Sequence, residues 1–432
     1  MSFMPEVTNL GTAILWLLLF LFRFVAAWWW IFPPFLLYPF WKKIYLNYIQ
    51  GLWLNEQGKY QLLEIKLPEE IERPIKAMEQ VFANLWVILD DPNAKEKWLE
   101  GKQLLHFSLE ILGREGKIHF LIRVPAANVE TVKSIIYAQY PEVEISNFDD
   151  YVADVPNPLP NRDWNLWGSD LKLLKPDSYP IKTYPVFFEE HPSDKEQFKI
   201  EPLSSLLEGL SILKPGEQFW IQIVATPTRE DLTGWLTRAR QERDKVLQRE
   251  KKKEIVSKPI YQQVIDILVF QKEYQEMEIK EKSGPSLWEI PETEKKIAEA
   301  IDRKASKPSF DCFIRVLYLA QRDVFFKPRV TIPINFFLGF NTENLNAFKP
   351  KSASIKYPPL KDHRLYLKQR DIFWHYINRY APGYPETSET YTLNTEELAT
   401  LFHLPSRSMA PAAGLERIRA KKGEPPANLP IG

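Results

Sequence analysis

Residues 104–124 read LLHFSLEILGREGKIHFLIRV, and the fold turns on how this stretch pairs with itself. Two alternating apolar runs, 104–112 and 117–124, flank Gly113-Arg114-Glu115-Gly116. A tight connection with glycine at both ends between two such runs predicts a β-hairpin. Symmetric pairing about those four residues sets His119 opposite Glu110 and His106 opposite Arg123, so the two imidazoles do not meet. Upstream, residues 60–67 (YQLLEIKL) have strand character. Residues 70–86 then repeat apolar side chains at helical spacing through Ile71, Ile75, Met78, Val81 and Leu85. Downstream, a helix is expected over 128–140, ended by Pro141, followed by a strand over 143–148. The order βαββαβ predicts a ferredoxin-like unit.

A proline-rich bridge, VPNPLPNRDWNLWG at 155–168, separates this unit from a second block starting near Leu171. There the pattern predicts a strand at 182–188, a helix at 202–213 and a strand at 218–225 after the turn residues KPGE, with another strand at 310–319. The polar, charged residues 229–304 between them have helical character and form an insertion in a second ferredoxin-like unit. An aromatic-rich helix is expected at 371–380. A further one at 392–403 is capped by Asn394 or Thr395, with Glu397 favouring its positive dipole end. The expected class is α+β: an N-terminal transmembrane helix followed by two ferredoxin-like units. The boundaries are 1–50 for a membrane anchor, 51–155 for the first unit, 165–370 for the second with its insertion at about 229–306, and 371–432 for a helical segment and extended proline-rich tail.

The anchor is expected in LGTAILWLLLFLFRFVAAWWWIFPPFLLYPFW, residues 10–41, where Arg23 is the single charged side chain. Residues 10–31 supply the roughly 20 positions that a helix needs to cross a bilayer. Pro33 and Pro34 would stop or kink it, and Trp28, Trp29 and Trp30 suit an interface. Lys42 and Lys43 then place the remainder in the cytoplasm by the positive-inside rule, for a single-pass protein of the cell membrane. Arg23 and the prolines leave a re-entrant hairpin as the competing arrangement.

Composition narrows the chemistry. The 432 residues carry 56 Lys and Arg against 56 Asp and Glu, so net charge gives no reason to expect an acidic partner. The single cysteine, Cys312, excludes an internal disulfide and multi-cysteine zinc sites. It sits in an apolar strand pattern, where an inert core thiol outweighs a nucleophile. No G-x-x-x-x-G-K-[ST] string occurs, and the nearest, Gly113 to Lys117, has the wrong spacing. His106, His119, His191, His363, His375 and His403 lack paired-ligand spacing. The acid pairs Asp149-Asp150 and Glu189-Glu190 read as solvated strand ends, and there is no G-x-S-x-G elbow. From Arg238 to Lys258 basic residues outnumber acidic ones, a pattern that suits anionic lipid or nucleic acid but is met more simply by a solvated helix with i, i+4 pairs. No catalytic residue, cofactor-binding residue, metal ligand or cofactor is assigned, and the chain is not expected to be an enzyme.

At the tail, LNTEELATLFHLPSRSMAPAAGLERIRAKKGEPPANLP (393–430) resembles the segment that precedes the P-loop in HerA/FtsK-like and type IV secretion-like ATPases. KAMEQVFANL (76–85), IIYAQYPEVEI (135–145), KPDSYPIKTYP (175–185) and LKPGEQFWIQI (213–223) resemble a family of uncharacterised bacterial membrane proteins in which such a region accompanies or is fused to a translocation ATPase. The resemblance implies that an ATPase core would begin about where this chain stops. It therefore implies a membrane-anchored, non-catalytic scaffold or adaptor for an ATPase on a separate chain, in conjugation-like export. The partners it implies are a lipid bilayer, that P-loop ATPase and further copies of the chain, with direct nucleic-acid contact left open. The alternative is a stand-alone envelope protein binding a ligand or lipid, and a third reading is an enzyme whose site would show as a deep pocket of converging polar groups with shifted titrations.

Overall fold

The computed structural model describes residues 10–28, 32–56, 59–68, 73–88, 92–102, 104–188, 201–247, 290–351, 360–382, 389–405, 414–415 and 417–418. The chain divides into two compact units, one of residues 1–59 and 90–104, the other of residues 60–89 and 105–432.

The first unit holds helices α1 (Leu10–Trp28) and α2 (Phe32–Glu56) and a π-helical turn at Glu96–Glu100. Helix α1 ends at Trp28, upstream of Pro33 and Pro34. They fall in the first turn of α2, where the N–H groups have no intrahelical acceptor and a fixed φ near −65° is already helical. The π-helical turn is tied to α2 by Tyr45 Oη, which donates to the Trp98 carbonyl at 3.0 Å, and by Lys42 Nζ, 4.8 Å above the Trp98 ring. Gly101 ends the turn at φ 71°, and a Cβ there would stand 2.4 Å from the Ile49 carbonyl oxygen. The expected membrane span is corrected. Among the described residues, no helix is long and apolar enough to cross a membrane. The apolar run is divided between α1, which contains Arg23, and α2, whose prolines lead into Lys42 and Lys43. The placement as a single-pass cell-membrane protein falls with the span.

The second unit is built on strands β1 (Tyr60–Pro68), β2 (Phe107–Arg114), β3 (Lys117–Pro125), β4 (Glu144–Asn147), β5 (Trp164–Leu173), β6 (Glu217–Thr228), β7 (Ser309–Gln321), β8 (Phe348–Pro350), β9 (Tyr391–Asn394) and β10 (Arg417–Ile418). Its helices are α3 (Ile75–Trp86), α4 (Val129–Gln139), α5 (Tyr184–Phe188), α6 (Ser204–Ser211), α7 (Glu230–Thr233), α8 (Trp235–Val246), α9 (Glu292–Ala305), α10 (Thr331–Leu338), α11 (Lys361–Ile377) and α12 (Thr395–Leu401). The main path of the sheet is β4-β1-β3-β2-β6-β7-β5-β8, antiparallel throughout. β9 pairs with the first residues of β7, and β10 makes a two-residue parallel pairing with β1.

Two separate ferredoxin-like units were expected, and the structure corrects this to one continuous sheet. The seam is the ladder from Phe107↔Ala225 to Arg114↔Gln218 between β2 and β6. In separate units both strands would expose unpaired backbone groups at an edge; here each satisfies the other. The strand orders β4-β1-β3-β2 and β8-β5-β7-β6 mirror each other across that seam. The proline-rich bridge is part of the same fold, with Val155 and Leu159 buried and β5 starting at Trp164. Residues 182–188, expected as a strand, contain helix α5 instead, with Pro185 in its first turn. The hairpin turn is the two residues Glu115 (φ 53°) and Gly116 (φ 84°), both in the left-handed region as a type I′ connection requires. Its register is therefore two positions from the symmetric expectation: Leu112 faces His119, and Ser108 faces Arg123.

Each face of the sheet buries side chains. One packs Leu109, Ile111, Phe120, Ile122, Ile223 and Ile314 in a cluster shared with side chains of α3, α4, α6, α10 and α12. The other packs Leu112, Leu121, Leu166, Trp220 and Leu317 with Ile372, Phe373 and Tyr376 of α11 and with Tyr151, Val155 and Leu159.

Candidate functional site

The second face changes character along its strands. Beside its apolar cluster, a row of polar residues crosses four strands at consecutive register positions: Glu110 of β2 faces Gln222 of β6, Gln222 faces Arg315 of β7, and Arg315 faces Asp170 of β5. Glu110, Gln222 and Arg315 are wholly buried. Period-2 alternation puts them on one face, and the antiparallel register lines them up side by side.

Arg379 closes the row from above. It follows α11 in the left-handed conformation (φ 55°), which turns its guanidinium back beneath the helix end. Its Nε and Nη2 donate to the Glu110 carboxylate at 3.2 and 3.4 Å, and Nη1 and Nη2 hold Asp150 at 2.8 and 3.0 Å. Glu110 also accepts from Ser108 Oγ at 2.6 Å, Gln222 Nε2 at 3.2 Å and Tyr151 Oη at 2.7 Å. Because the Tyr151 hydroxyl proton is committed to Glu110, Tyr376 Oη donates to Tyr151 at 2.7 Å. At the far end Arg315 Nε meets Asp170 at 2.6 Å, and Nη1 donates to the Tyr380 carbonyl at 3.1 Å.

These contacts fix the protonation states. Burial favours the neutral acid of Glu110, but the Arg379 charge and the bonds from Arg379, Ser108 and Tyr151 outweigh it and hold the carboxyl below its ordinary range. Asp150 is lowered too, with Arg379 overcoming burial. Burial and the nearby Glu110 raise Tyr151 and Tyr376 well above 10. At the margin of the row, burial and then the charges of Arg123 and Arg379 push His106 down to about 3, and burial with the Arg379 charge lowers Arg123 to about 10. The Arg123 guanidinium lies 4.0 Å from the Tyr60 ring centre, and the Tyr60 ring stacks on His106 at 4.9 Å. Polar groups thus converge and titrations are shifted, as a catalytic site would require. None of these shifts brings a group to neutrality, however, whereas proton transfer needs a group poised near the working pH. The five donors around Glu110 also occupy the roughly four lone-pair positions of a carboxylate, so no acceptor capacity faces a substrate.

A second ion cluster locks α12, which is buried at every position. Asn394 caps it and Glu397 bonds back to the Asn394 N–H at 2.9 Å, a capping box. Glu397 pairs with Lys304 of α9 at 3.0 Å, both side chains being enclosed, and accepts from the Ile181 N–H at 2.9 Å. Burial still raises the Glu397 carboxyl, though Lys304 opposes it. Glu396 binds Arg303 at 3.1 Å and Lys307 at 2.5 Å. After the helix, His403 pairs with Glu201, both enclosed.

The residues singled out in the sequence are dispersed. Cys312 is buried in β7 and its thiol is raised well above 9 by burial. His119 meets Glu64 at 2.5 Å, His363 starts α11 on the surface, and His375 bonds the Asp371 carbonyl at 2.8 Å. Among the described residues, no group of three His, Cys, Asp or Glu is placed to hold a metal ion. His191, Glu189, Glu190 and the basic run beyond Leu247 lie outside the described residues. Asp150, read as a solvated strand end, is the outer partner of Arg379. The signal for the row was present as the alternating polar residues of FSLE, WIQI and FIRV, which look outward until the seam shows them enclosed.

A protein-family model described as Domain of unknown function (DUF8128) matches residues 45–413. The chain belongs to this family. The DUF8128 span takes in strands β1 to β9, the polar row with Arg379, and the locked helix α12. A search of the curated proteins gave no match.

Proposed function

We propose that this DUF8128 protein is a non-catalytic scaffold or adaptor that mounts a HerA/FtsK-like P-loop ATPase carried on a separate chain, in a conjugation-like or type IV secretion-like system. The observation that carries this reading is the buried ion network joining β2, β5, β6, β7 and the end of α11. At its centre Arg379 is raised, and Glu110 and Asp150 are lowered, away from neutrality, a design that suits rigidity more than turnover. The resemblance of residues 393–430 to the segment before an ATPase P-loop supports the choice of partner. The segment starts at β9 and α12, and three cations at and just after the end of α9, Arg303, Lys304 and Lys307, hold the carboxylates of α12.

The test is affinity capture with the whole chain from its native host, with and without an ATP analogue. Co-purification of a P-loop ATPase, lost when Glu396 and Glu397 are both replaced by Gln in a protein that remains folded, is the expected result. Capture that recovers no such ATPase, with none encoded beside this chain, would sink the reading.

A second reading, a stand-alone ligand-binding protein, is favoured by a cleft of about 580 Å³ whose charged lining is Asp170, Asp177 and Glu389 with Lys172, Lys175 and Arg238. That volume is in the usual range for small-molecule sites. Its balanced charges suit a zwitterionic ligand.

A further inference from the structure

Helix α11 has two different long sides. Its inner side, Ile372, Phe373 and Tyr376, is buried in the sheet. Its outer side carries Tyr366, Arg370 and Trp374 at i, i+4 and i+8, which places the three in one line over about 12 Å of helix. Tyr366 is 36% and Trp374 44% exposed, and the Arg370 guanidinium lies 5.6 Å from the Tyr366 ring centre. Lys361, Arg364 and Lys368 form an adjoining line at i, i+3 and i+7.

That second line leads to the sheet edge. Lys172 stands two residues beyond Asp170 on β5 and so on the same face as the polar row, and the register sets it directly opposite Lys349 of β8. Like charges directly opposite each other in an antiparallel pair are unfavourable, so this arrangement is not explained by sheet stability. Lys351 follows on the same face, and Lys368 of α11 is lowered by burial and by the Lys351 charge. Glu389 pairs with Lys172 at 2.7 Å and with Lys351 at 2.9 Å, and Asp170 is taken by Arg315. Even with Glu389, Asp170 and the exposed Asp362 of α11 counted, the six cations Lys172, Lys349, Lys351, Lys361, Arg364 and Lys368 predominate.

A row of cations beside two exposed rings separated by an arginine matches the chemistry of single-stranded nucleic acid, whose phosphates need positive charge and whose unpaired bases need stacking surfaces. An acidic peptide would use the cations alone, and a duplex hides its base faces. We infer that the outer side of α11, together with the β5–β8 edge lysines, is a binding surface for single-stranded nucleic acid without sequence preference. This does not depend on an ATPase partner.

The test is fluorescence anisotropy of a labelled 20-nucleotide oligothymidylate titrated with the full chain at several salt concentrations. The wild type is expected to bind saturably. Replacing Tyr366 and Trp374 together by Ala weakens binding by about tenfold or more while leaving the salt slope unchanged, since stacking on an aromatic contributes roughly 1–3 kcal/mol per base. Trp374→Phe keeps a ring and retains most of the affinity, which separates stacking from misfolding. Replacing Lys349 and Arg364 by Ala lowers the slope of log K against log salt by roughly 0.7 per lost phosphate contact. The inference is overturned if the oligonucleotide does not bind, if neither pair of replacements changes binding, or if a duplex, polyglutamate or anionic vesicles compete as well as the unlabelled single strand.

Discussion

The two faces of one sheet solve burial by opposite means. On the face under α3, α4, α6, α10 and α12, strand after strand contributes Leu, Ile, Phe and Val, and cohesion comes from apolar area removed from water. On the face under α11, the same strands contribute Ser108, Glu110, Gln222 and Arg315, which are equally enclosed and must be held by partners. The difference teaches that burial alone does not define a core. An apolar face tolerates loss in proportion to the atoms removed. A polar one fails as a unit, because removing one partner strands the rest.

Arg379→Met therefore gives the largest effect expected on stability, a loss of about 3–5 kcal/mol, because it leaves Glu110 buried without its counter-ion. The midpoint of urea unfolding reads it. Adding Glu110→Leu to that variant should recover much of the loss, and the coupling in the four-variant cycle measures the pair itself. A loss below about 1 kcal/mol for Arg379→Met would erase the distinction between the faces. On the apolar face, Ile223→Ala should cost about 2–4 kcal/mol with no partner able to restore it.

The hairpin 107–125 and its neighbours were legible because each is local, alternation marking the strands and the glycine-flanked GREG a tight connection, although the register was placed two positions off because the turn is Glu115-Gly116 alone. The start of α12 was legible to within a residue, as Asn394 or Thr395, and the structure makes Asn394 the cap, with Glu397 closing a capping box. The β2–β6 seam was not, since it joins residues more than a hundred positions apart and neither strand names its neighbour. Without the seam, Glu110 and Gln222 read as solvent-facing and the polar row was invisible. Arg379 was invisible too, since its role depends on a left-handed turn after α11 that no local residue pattern announces. The apolar run at 10–41 misled in the other direction: its summed length suggested one span, while the backbone divides it between two helices.

Acid should discriminate between the faces by a smaller margin. Folded His106 stays neutral to about pH 3, whereas the unfolded chain takes up a proton near 6.5, so the unfolded state binds more protons between those values and stability falls as pH drops. Glu110 and Asp150, lowered in the fold, add to the loss further down, as pH falls from the ordinary carboxylate range through their folded values. The slope expected from His106 is at most about 1.4 kcal/mol per pH unit, so about 2 kcal/mol is lost between pH 7 and 5. Unfolding by guanidinium at pH 7, 6 and 5 measures it. His106→Gln, which cannot titrate, should flatten that segment. An unchanged slope would show that another group carries the acid sensitivity.

The smallest effect is expected where charges meet in water. Lys66 and Glu144 pair at 3.1 Å on the β1–β4 edge with about half of the Glu144 side chain exposed, whereas Lys304 and Glu397 pair at 3.0 Å in full enclosure. Distance is the same and solvent is not. Water screens the outer pair and competes for its hydrogen bonds, so Glu144→Ala should shift stability by no more than about 0.5–1 kcal/mol, and less in 0.5 M salt. Lys304→Met should cost several times as much at either salt concentration, because the uncompensated Glu397 has no solvent to turn to. Equal losses for the two substitutions would mean that proximity of charge, rather than the enclosure that separates these regions, sets the strength of ion pairs in this protein.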